Sequence, residues 1–351
     1  MVDTATHDQL VADLTGGLAP SEDDLAPFEG SDRLRPDGRP RPEFRAELRR
    51  IPNLTNVVHV VVVLAYPFLV IWGALTISHP LTWVLAFCAM GVWYQRALTL
   101  HHESAHRLLF SNRTANDWVG EKLLGLLAFG DGGPAYRLVH TQHNRDEFGE
   151  REPDFMLYAR YPIPADSMRR KLLRDAFGVS GYKLLKPAIV GLFVKGRRFR
   201  AARFFFGQLF VFGWFLAFGH PWLYVFLWWL PWMTFWQVAN RLRALAEHGG
   251  MTRSPDRRRT SNNIRQGFLS RYVFLPHSVG FHLAHHVDSG IPMSNLPKYH
   301  RALVQDGYIT DSITYPSYRA FWRTLVRPAD LVMTPAAPAT PGECDPDSIP
   351  R

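Results

Sequence analysis

Between Leu100 and Phe110 the chain reads LHHESAHRLLF, which puts His102 and His106 four residues apart with Glu103 beside the first. Side chains at i and i+4 stack on one face of a helix, so these two imidazoles form a natural ligand pair. A glutamate next to such a pair is also the HExxH arrangement in which zinc, two histidines and a carboxylate base cleave a peptide bond. His101 is rotated away from the pair and could act only as a supporting group. The stretch is therefore either a self-contained zinc hydrolase site or one corner of a larger metal centre.

Three later stretches bear on that choice. VHTQHNRDEFGEREPDF supplies His140, His143 and Asn144, RLRALAEHGG supplies His248, and GFHLAHHVDSGIP supplies His282, His285 and His286. Positions 282, 285 and 286 span a narrow arc of a helix, so all three rings are expected to face one place. Imidazole suits iron, zinc, copper or nickel. His102, His106, His140, His143, His248, His282, His285 and His286 are too many ligands for one ion, and two metals fit the count. A zinc hydrolase built on His102, Glu103 and His106 would leave the later histidines idle.

The elements that must position these residues are apolar and paired. VVHVVVVLAYPFLVIWGALTI (57–77) carries no charge and has the length needed to span hydrocarbon. After the turn SHP, residues 81–100 run back to the first histidines. Residues 204–218 and 221–239, joined by GHP, repeat the hairpin and lead to His248. The turns at 78–80 and 219–220 lack Arg and Lys, whereas the other connections are rich in them. By the positive-inside rule, both termini and the histidines face the cytoplasm of an inner or plasma membrane. The expected fold class is an all-α integral membrane protein: four transmembrane helices in two hairpins under a helical cytosolic cap that holds a His-rich dimetal site. Most Trp and Phe of the second hairpin are expected to face lipid, and some to line an acyl tunnel. Residues 1–50 form a polar segment expected to be partly disordered or loosely docked, residues 51–327 the membrane domain, and residues 328–351 a disordered Pro-rich tail. Segment 117–130 is amphipathic and expected at the interface.

Composition narrows the function classes. The net charge of +9 lies in clusters flanking the apolar blocks, and no recognisable nucleic-acid module accompanies it, so nucleic acid is not an expected partner. Two cysteines, Cys88 and Cys344, exclude a disulfide framework and a Cys-rich zinc site. The acidic, polar N-terminus does not read as a cleavable signal peptide.

The motifs HHESAH, HTQHN, AEHGG and HLAHH, with the trailing IPMSNLPKYH, taken in that order between two apolar hairpins, resemble the membrane fatty acid desaturase and hydroxylase superfamily. The resemblance covers roughly residues 55–305. It implies four transmembrane helices under a cytosolic cap and a non-haem di-iron centre that uses O2 as co-substrate. Breaking an unactivated C–H bond is beyond side-chain acid–base chemistry, so such a metal centre would carry it, as desaturation or as hydroxylation. Electrons must come from a separate donor, such as a ferredoxin or a cytochrome with its reductase, because no haem, iron–sulfur or dinucleotide motif is fused to the chain. Two positions depart from the family pattern. Asn144 stands where the second box ends in His, and Ser278 stands where an Asn near an iron-bound water is common, with His277 positioned to swing in instead. Glu103, Asp154, Glu247 and Asp288 are expected either to orient ligating imidazoles through their outer N–H or to form ordinary caps and ion pairs. His300 is expected to support the cap, and His59, His79 and His220 to lie away from the site.

Overall fold

The computed structural model describes residues 4–327. The expectation of a disordered tail over 328–351, with Cys344, falls outside the described residues. The chain is mostly helical, with two minimal parallel pairings, Ile163–Pro164 with Val326–Arg327 and Asn263–Ile264 with Thr314–Tyr315. Counting helices of six residues or more, these are α1 (Thr4–Leu14), α2 (Pro42–Leu48), α3 (Asn53–Ile77), α4 (Pro80–Ala105), α5 (Ala135–Arg145), α6 (Ala165–Ala176), α7 (Val179–Gly191), α8 (Arg198–Ala217), α9 (Phe235–His248), α10 (His282–Val287), α11 (Leu296–Gln305) and α12 (Tyr318–Thr324).

The first hairpin follows from its turn chemistry. Ser78 closes α3 in the left-handed region, His79 caps α4 by accepting the Leu81 N–H, and Pro80 sits at the first helical position, where no N–H is needed. Trp93 Nε1 donates to the Val63 carbonyl at 2.7 Å and Asn56 Nδ2 to that of Leu109 at 2.8 Å, which sets the antiparallel register. The stretch Pro42–Ile77 is long and apolar enough to cross a membrane, and it is the only such helix among the described residues. Only 22% of its most apolar window is buried within the protein. Helix α4 carries Arg96, α8 opens on Arg198, Arg200 and Arg203, and α9 is short; each feature lowers the apolar run that the sequence suggested.

The fourth apolar block is not one helix. Residues Tyr224–Trp229 form π-helical turns, Leu230–Met233 one α turn, and Thr234 breaks the chain at φ −123°, ψ −83° before α9. Pro231 has no N–H to donate to the preceding turn, and the backbone widens there. The aromatic residues divide: Trp228, Trp232 and Trp236 are buried, and Trp232 stacks on Phe129 at 4.2 Å, whereas Phe206, Phe210, Trp214 and Phe218 are exposed.

The N-terminal segment is ordered from Thr4, contrary to the sequence expectation. His7 Nε2 bonds the Phe148 carbonyl at 2.9 Å, and the Gly16 and Leu18 N–H groups donate to the carbonyls of Met251 and Gly250. Leu34 is fully buried, and Tyr299 Oη donates to the Gly38 carbonyl at 2.8 Å. Few apolar anchors suffice because backbone groups do much of the docking, against partners far along the chain.

Segment 117–130 also departs from a purely interfacial role. Residues Asp117–Leu124 form π-helical turns packed on α4, and a Cβ at Gly120 would fall 1.9 Å from Ser104 Cβ. The Gly120 carbonyl meanwhile holds His101 Nδ1 at 2.9 Å. Overpacking at such a contact costs about 1–3 kcal/mol. Gly120→Ala is therefore expected to lower the thermal unfolding midpoint of the detergent-solubilised protein, whereas Gly196→Ala, in open space, tests only the loss of a left-handed glycine. An unchanged midpoint in Gly120→Ala would contradict this packing.

Candidate metal centre

Four segments deliver the eight imidazoles to one place. His102 lies at the end of α4 and His106 just beyond it; His140 and His143 project from α5, His248 closes α9, and α10 carries His282, His285 and His286. They sort into two adjoining groups. Potential ligand atoms of His102, His106, His140 and His285 lie within 4.8 Å of one another, as do those of His143, His248 and His286. His282 joins the second group, its Nε2 2.9 Å from His248 Nε2. The groups abut, with ring centroids 5.8 Å apart for His140 and His143 and 5.4 Å for His285 and His286.

This sorting corrects the expectation that 282, 285 and 286 face one place. At about 100° per residue, positions 282 and 286 differ by only about 40°, whereas 285 and 286 lie about 100° apart. His285 therefore turns to the first group while its neighbours serve the second. Helix α5 is divided the same way, with His140 in the first group and His143 in the second.

Hydrogen bonds on the outer nitrogens set which nitrogen faces inward. The Thr260 carbonyl can only accept, so His248 carries a proton on Nδ1 (2.8 Å) and turns Nε2 to the centre. Glu152 accepts from His143 Nδ1 at 2.9 Å, and Glu147 accepts from His286 Nδ1 at 2.5 Å while also pairing with Arg257. Carboxylates and carbonyls at this position fix ring orientation and raise ligand basicity. Nε2 of His285 and of His286 are buried with no hydrogen-bond partner, and His106 Nε2 and His140 Nε2 face each other at 2.8 Å. Burying unpaired nitrogen lone pairs against one another is costly unless something accepts them. Metal ions fit this donor set, four imidazoles to each group, and the ligating form is the neutral ring. Burial, reinforced by neighbouring positive groups, pushes the imidazoles of His140, His248, His282, His285 and His286 well below their usual value, which keeps them neutral at pH 7. For His143, burial pulls the same way, but the hydrogen bond and charge of Glu152 outweigh it and raise the ring.

The other expected site residues fall differently. Glu103 Oε1 accepts the Met293 N–H at 3.0 Å and so anchors the segment after α10 rather than serving as a base. Asp288 is held by Arg45 at 2.6 Å and 3.2 Å, and Asp154 makes no hydrogen bond to an imidazole among the described residues. Glu247 pairs with Arg243 at 2.7 Å and lies 3.5 Å from His282 Nδ1 without a hydrogen bond. His101 bonds the Gly120 carbonyl and packs on Tyr136, which in turn stacks on His140. His277 does not swing in: it packs against His59 at 4.7 Å, and it and Ser278 are both in left-handed backbone. His300 packs on Phe281 of the cap. Asn144 does reach the first group, its Nδ2 2.8 Å from His140 Nε2, and its Oδ1 is buried without a partner. Turned over, the amide presents that oxygen to the same point as the imidazoles.

Glu147 and Glu152 are the orienting carboxylates that sequence reasoning missed. Their one signal is position, within the same acidic stretch that follows HTQHN. Loss of such a partner typically weakens metal binding about 10–100-fold. Glu152→Gln is expected to lower the affinity of the second group by that factor, while His285→Ala empties the first. Metal content per purified chain, followed against increasing chelator, reads both; wild-type retention in Glu152→Gln would remove its orienting role.

A profile of the fatty acid desaturase family matches residues 78–319, which contain all eight imidazoles. Over 242 residues the chain is 26% identical to the dihydrorhizobitoxine desaturase of Bradyrhizobium elkanii, covering 64% of this chain and 68% of that protein. The matched region holds both histidine groups and the glutamates that orient them, and the chain belongs to the fatty acid desaturase family as an oxidoreductase.

Proposed function

We propose that the protein is an O2-dependent membrane di-iron oxidase that desaturates a fatty acyl chain or a related lipid. The observation that carries this reading is the division of eight imidazoles into two adjoining groups of four with inward lone pairs. A neutral, all-nitrogen donor set suits iron. His102, His106, His140 and His285 would hold one ion, with Asn144 beside it, and His143, His248, His282 and His286 the other. When bound, the two irons supply the oxidising power toward O2 that no side chain has. The protein's own groups do the positioning. Glu147, Glu152 and the Thr260 carbonyl hold protons on the outer nitrogens and keep the inner ones free, and Arg257 pairs with Glu147 from the other side.

The membrane setting is part of the proposal. Val57, Val58, Val61, Val62, Leu69 and Trp72 on α3 and Phe206, Leu209 and Phe210 on α8 are exposed, an apolar surface far larger than a water-facing protein carries. Two hairpins, four spans, with both termini and the metal centre on the cytoplasmic side, would cover it with lipid. A wholly apolar cavity of about 330 Å³, lined by residues such as Leu64, Trp93, Leu127, Phe210 and Trp228, would accept an apolar chain. An external ferredoxin or cytochrome would deliver the electrons. A recess of about 440 Å³ lined by Arg35, Arg39, Arg45 and Arg257 reaches Asn144 and His286, and its charge suits an acidic donor. The relative's name is that of a desaturase, which favours hydrogen removal over the hydroxylation that the same scaffold would also support.

Metal analysis of the purified protein is expected to give about two irons per chain. Lipid extracts from expressing cells with O2 and a competent donor should contain a product lighter by two hydrogens. A product heavier by one oxygen would establish the hydroxylase, and one zinc per chain with no lipid change would overturn the oxidase.

A further inference from the structure

Outside the metal centre, three half-buried cationic or donor side chains converge without a counter-charge. Arg96 projects from α4, His59 from α3 and His277 from the left-handed turn that follows the π-helical segment Ser270–Phe274. The hairpin register explains the meeting. The Val63 carbonyl is bonded by Trp93, so one helical turn toward the cytoplasmic end His59 comes opposite Ala97, beside Arg96. The rings of His59 and His277 lie 4.7 Å apart. Arg96 Nη2 is spent on the Tyr272 carbonyl at 2.5 Å. Arg96 Nε, His59 Nδ1 and His277 Nε2 are all buried with no partner.

An arginine at the membrane rim ordinarily snorkels to water or pairs with a carboxylate. Arg96, half-buried, has no ion pair among the described residues, and the titratable groups around it are Tyr66, His59 and His277. Leaving the Nε–H of a guanidinium and two imidazole nitrogens buried and unmatched is unfavourable. So is holding His277 and Ser278, neither a glycine, at φ 58° and 64°. The strain is what turns His277 toward Arg96. Beside the cluster, Phe268, Leu269, Tyr272 and Val273 on one side and Val58 and Val62 on the other are exposed. A charged end and an apolar surface therefore adjoin.

We propose that Arg96, His59 and His277 bind the oxyanion headgroup of an amphiphile, a phosphodiester or a carboxylate, at the cytoplasmic rim of the membrane. The proposal rests on the membrane reading above but not on the oxidase chemistry. The oxyanion takes the free Nε–H of Arg96 and an N–H from each imidazole, while its chain lies along the exposed apolar residues of 268–273.

The test uses the full chain in detergent, with bound molecules counted by native mass spectrometry during titration with dioleoyl phosphatidylglycerol, with oleate and with inorganic phosphate. Wild type is expected to retain one molecule of the phospholipid or of oleate, and which of the two identifies the source. Arg96→Gln should bind it about tenfold more weakly or less, with Arg96→Lys between, because a charge-assisted hydrogen bond is lost. Metal content should remain at the wild-type level in Arg96→Gln, which shows that it folds; if it does not fold, His277→Gln takes its place in the same titration. Equal binding by wild type and a folded variant overturns the proposal, as does binding of inorganic phosphate alone. Loss of lipid binding with metal content intact, in a protein that proves inactive as an oxidase, leaves this site standing and removes the other reading.

Discussion

Eight imidazoles cannot be packed into a protein interior with their lone pairs facing one another unless something accepts those pairs. This constraint governs the half of the molecule that holds the histidines. His106 and His140 approach through Nε2 to 2.8 Å and His248 and His282 to 2.9 Å, where one proton can serve each pair, but Nε2 of His285 and of His286 and Nδ1 of His282 are left buried without a partner. Metal ions resolve it, and the free energy of binding them becomes stability of the fold. The elements are accordingly placed to serve the convergence. Gly91 lets the Phe235 ring approach α4 so closely that a Cβ would come within 2.2 Å, and Gly120 brings the π-helical turns onto Ser104. Both contacts draw neighbouring elements tightly onto α4, the helix that carries His102.

Around this centre the charges are arranged in chains rather than isolated pairs. Glu147 is shared by His286 and Arg257, and Glu247 lies between Arg243 and His282. Each carboxylate faces a cation on one side and an imidazole on the other; Glu147 bonds its ring, while burial raises Glu247, which makes no hydrogen bond to His282. Glu103 is spent differently. Its hydrogen bond to the Met293 N–H ties α4 to the segment after α10, so the residue that makes HESAH look like a peptidase motif instead joins the first histidine stretch to the last.

The ligands were legible in the sequence because imidazole is the one side chain that combines metal affinity with recognisable helical spacing. HESAH, HTQHN, AEHGG and HLAHH each state their contribution locally. The partition was not legible: whether His285 faces the ions of its neighbours or of α4 depends on where α10 sits, which no local spacing encodes. Glu147 and Glu152 were hidden for a related reason, since in DEFGERE every acidic residue looks alike until the loop closes over the rings. The first hairpin could be read from its charge-free run and its SHP turn. The fourth apolar block misled because hydropathy averages over Pro231, whose missing N–H breaks the helix. The N-terminal segment misled in the opposite sense, because its docking relies on backbone bonds to Met251 and Gly250 that leave no apolar pattern.

Asn144 is where the two levels meet. From sequence it is a defect, an amide in a place where the family has imidazole. In space it is placed as a ligand would be, one turn after His140 on α5, with a buried oxygen that nothing else in the described chain satisfies. It also lines, with His286, the recess formed by Arg35, Arg39, Arg45 and Arg257. A carbonyl oxygen donates less strongly than imidazole to these metals, so the ion beside it would be bound less tightly and would exchange ligands more readily. A weaker ligand at the recess and four imidazoles behind it make the two halves of the centre chemically unequal. The substitution would therefore make the surroundings of the two ions differ without dismantling either group of four imidazoles.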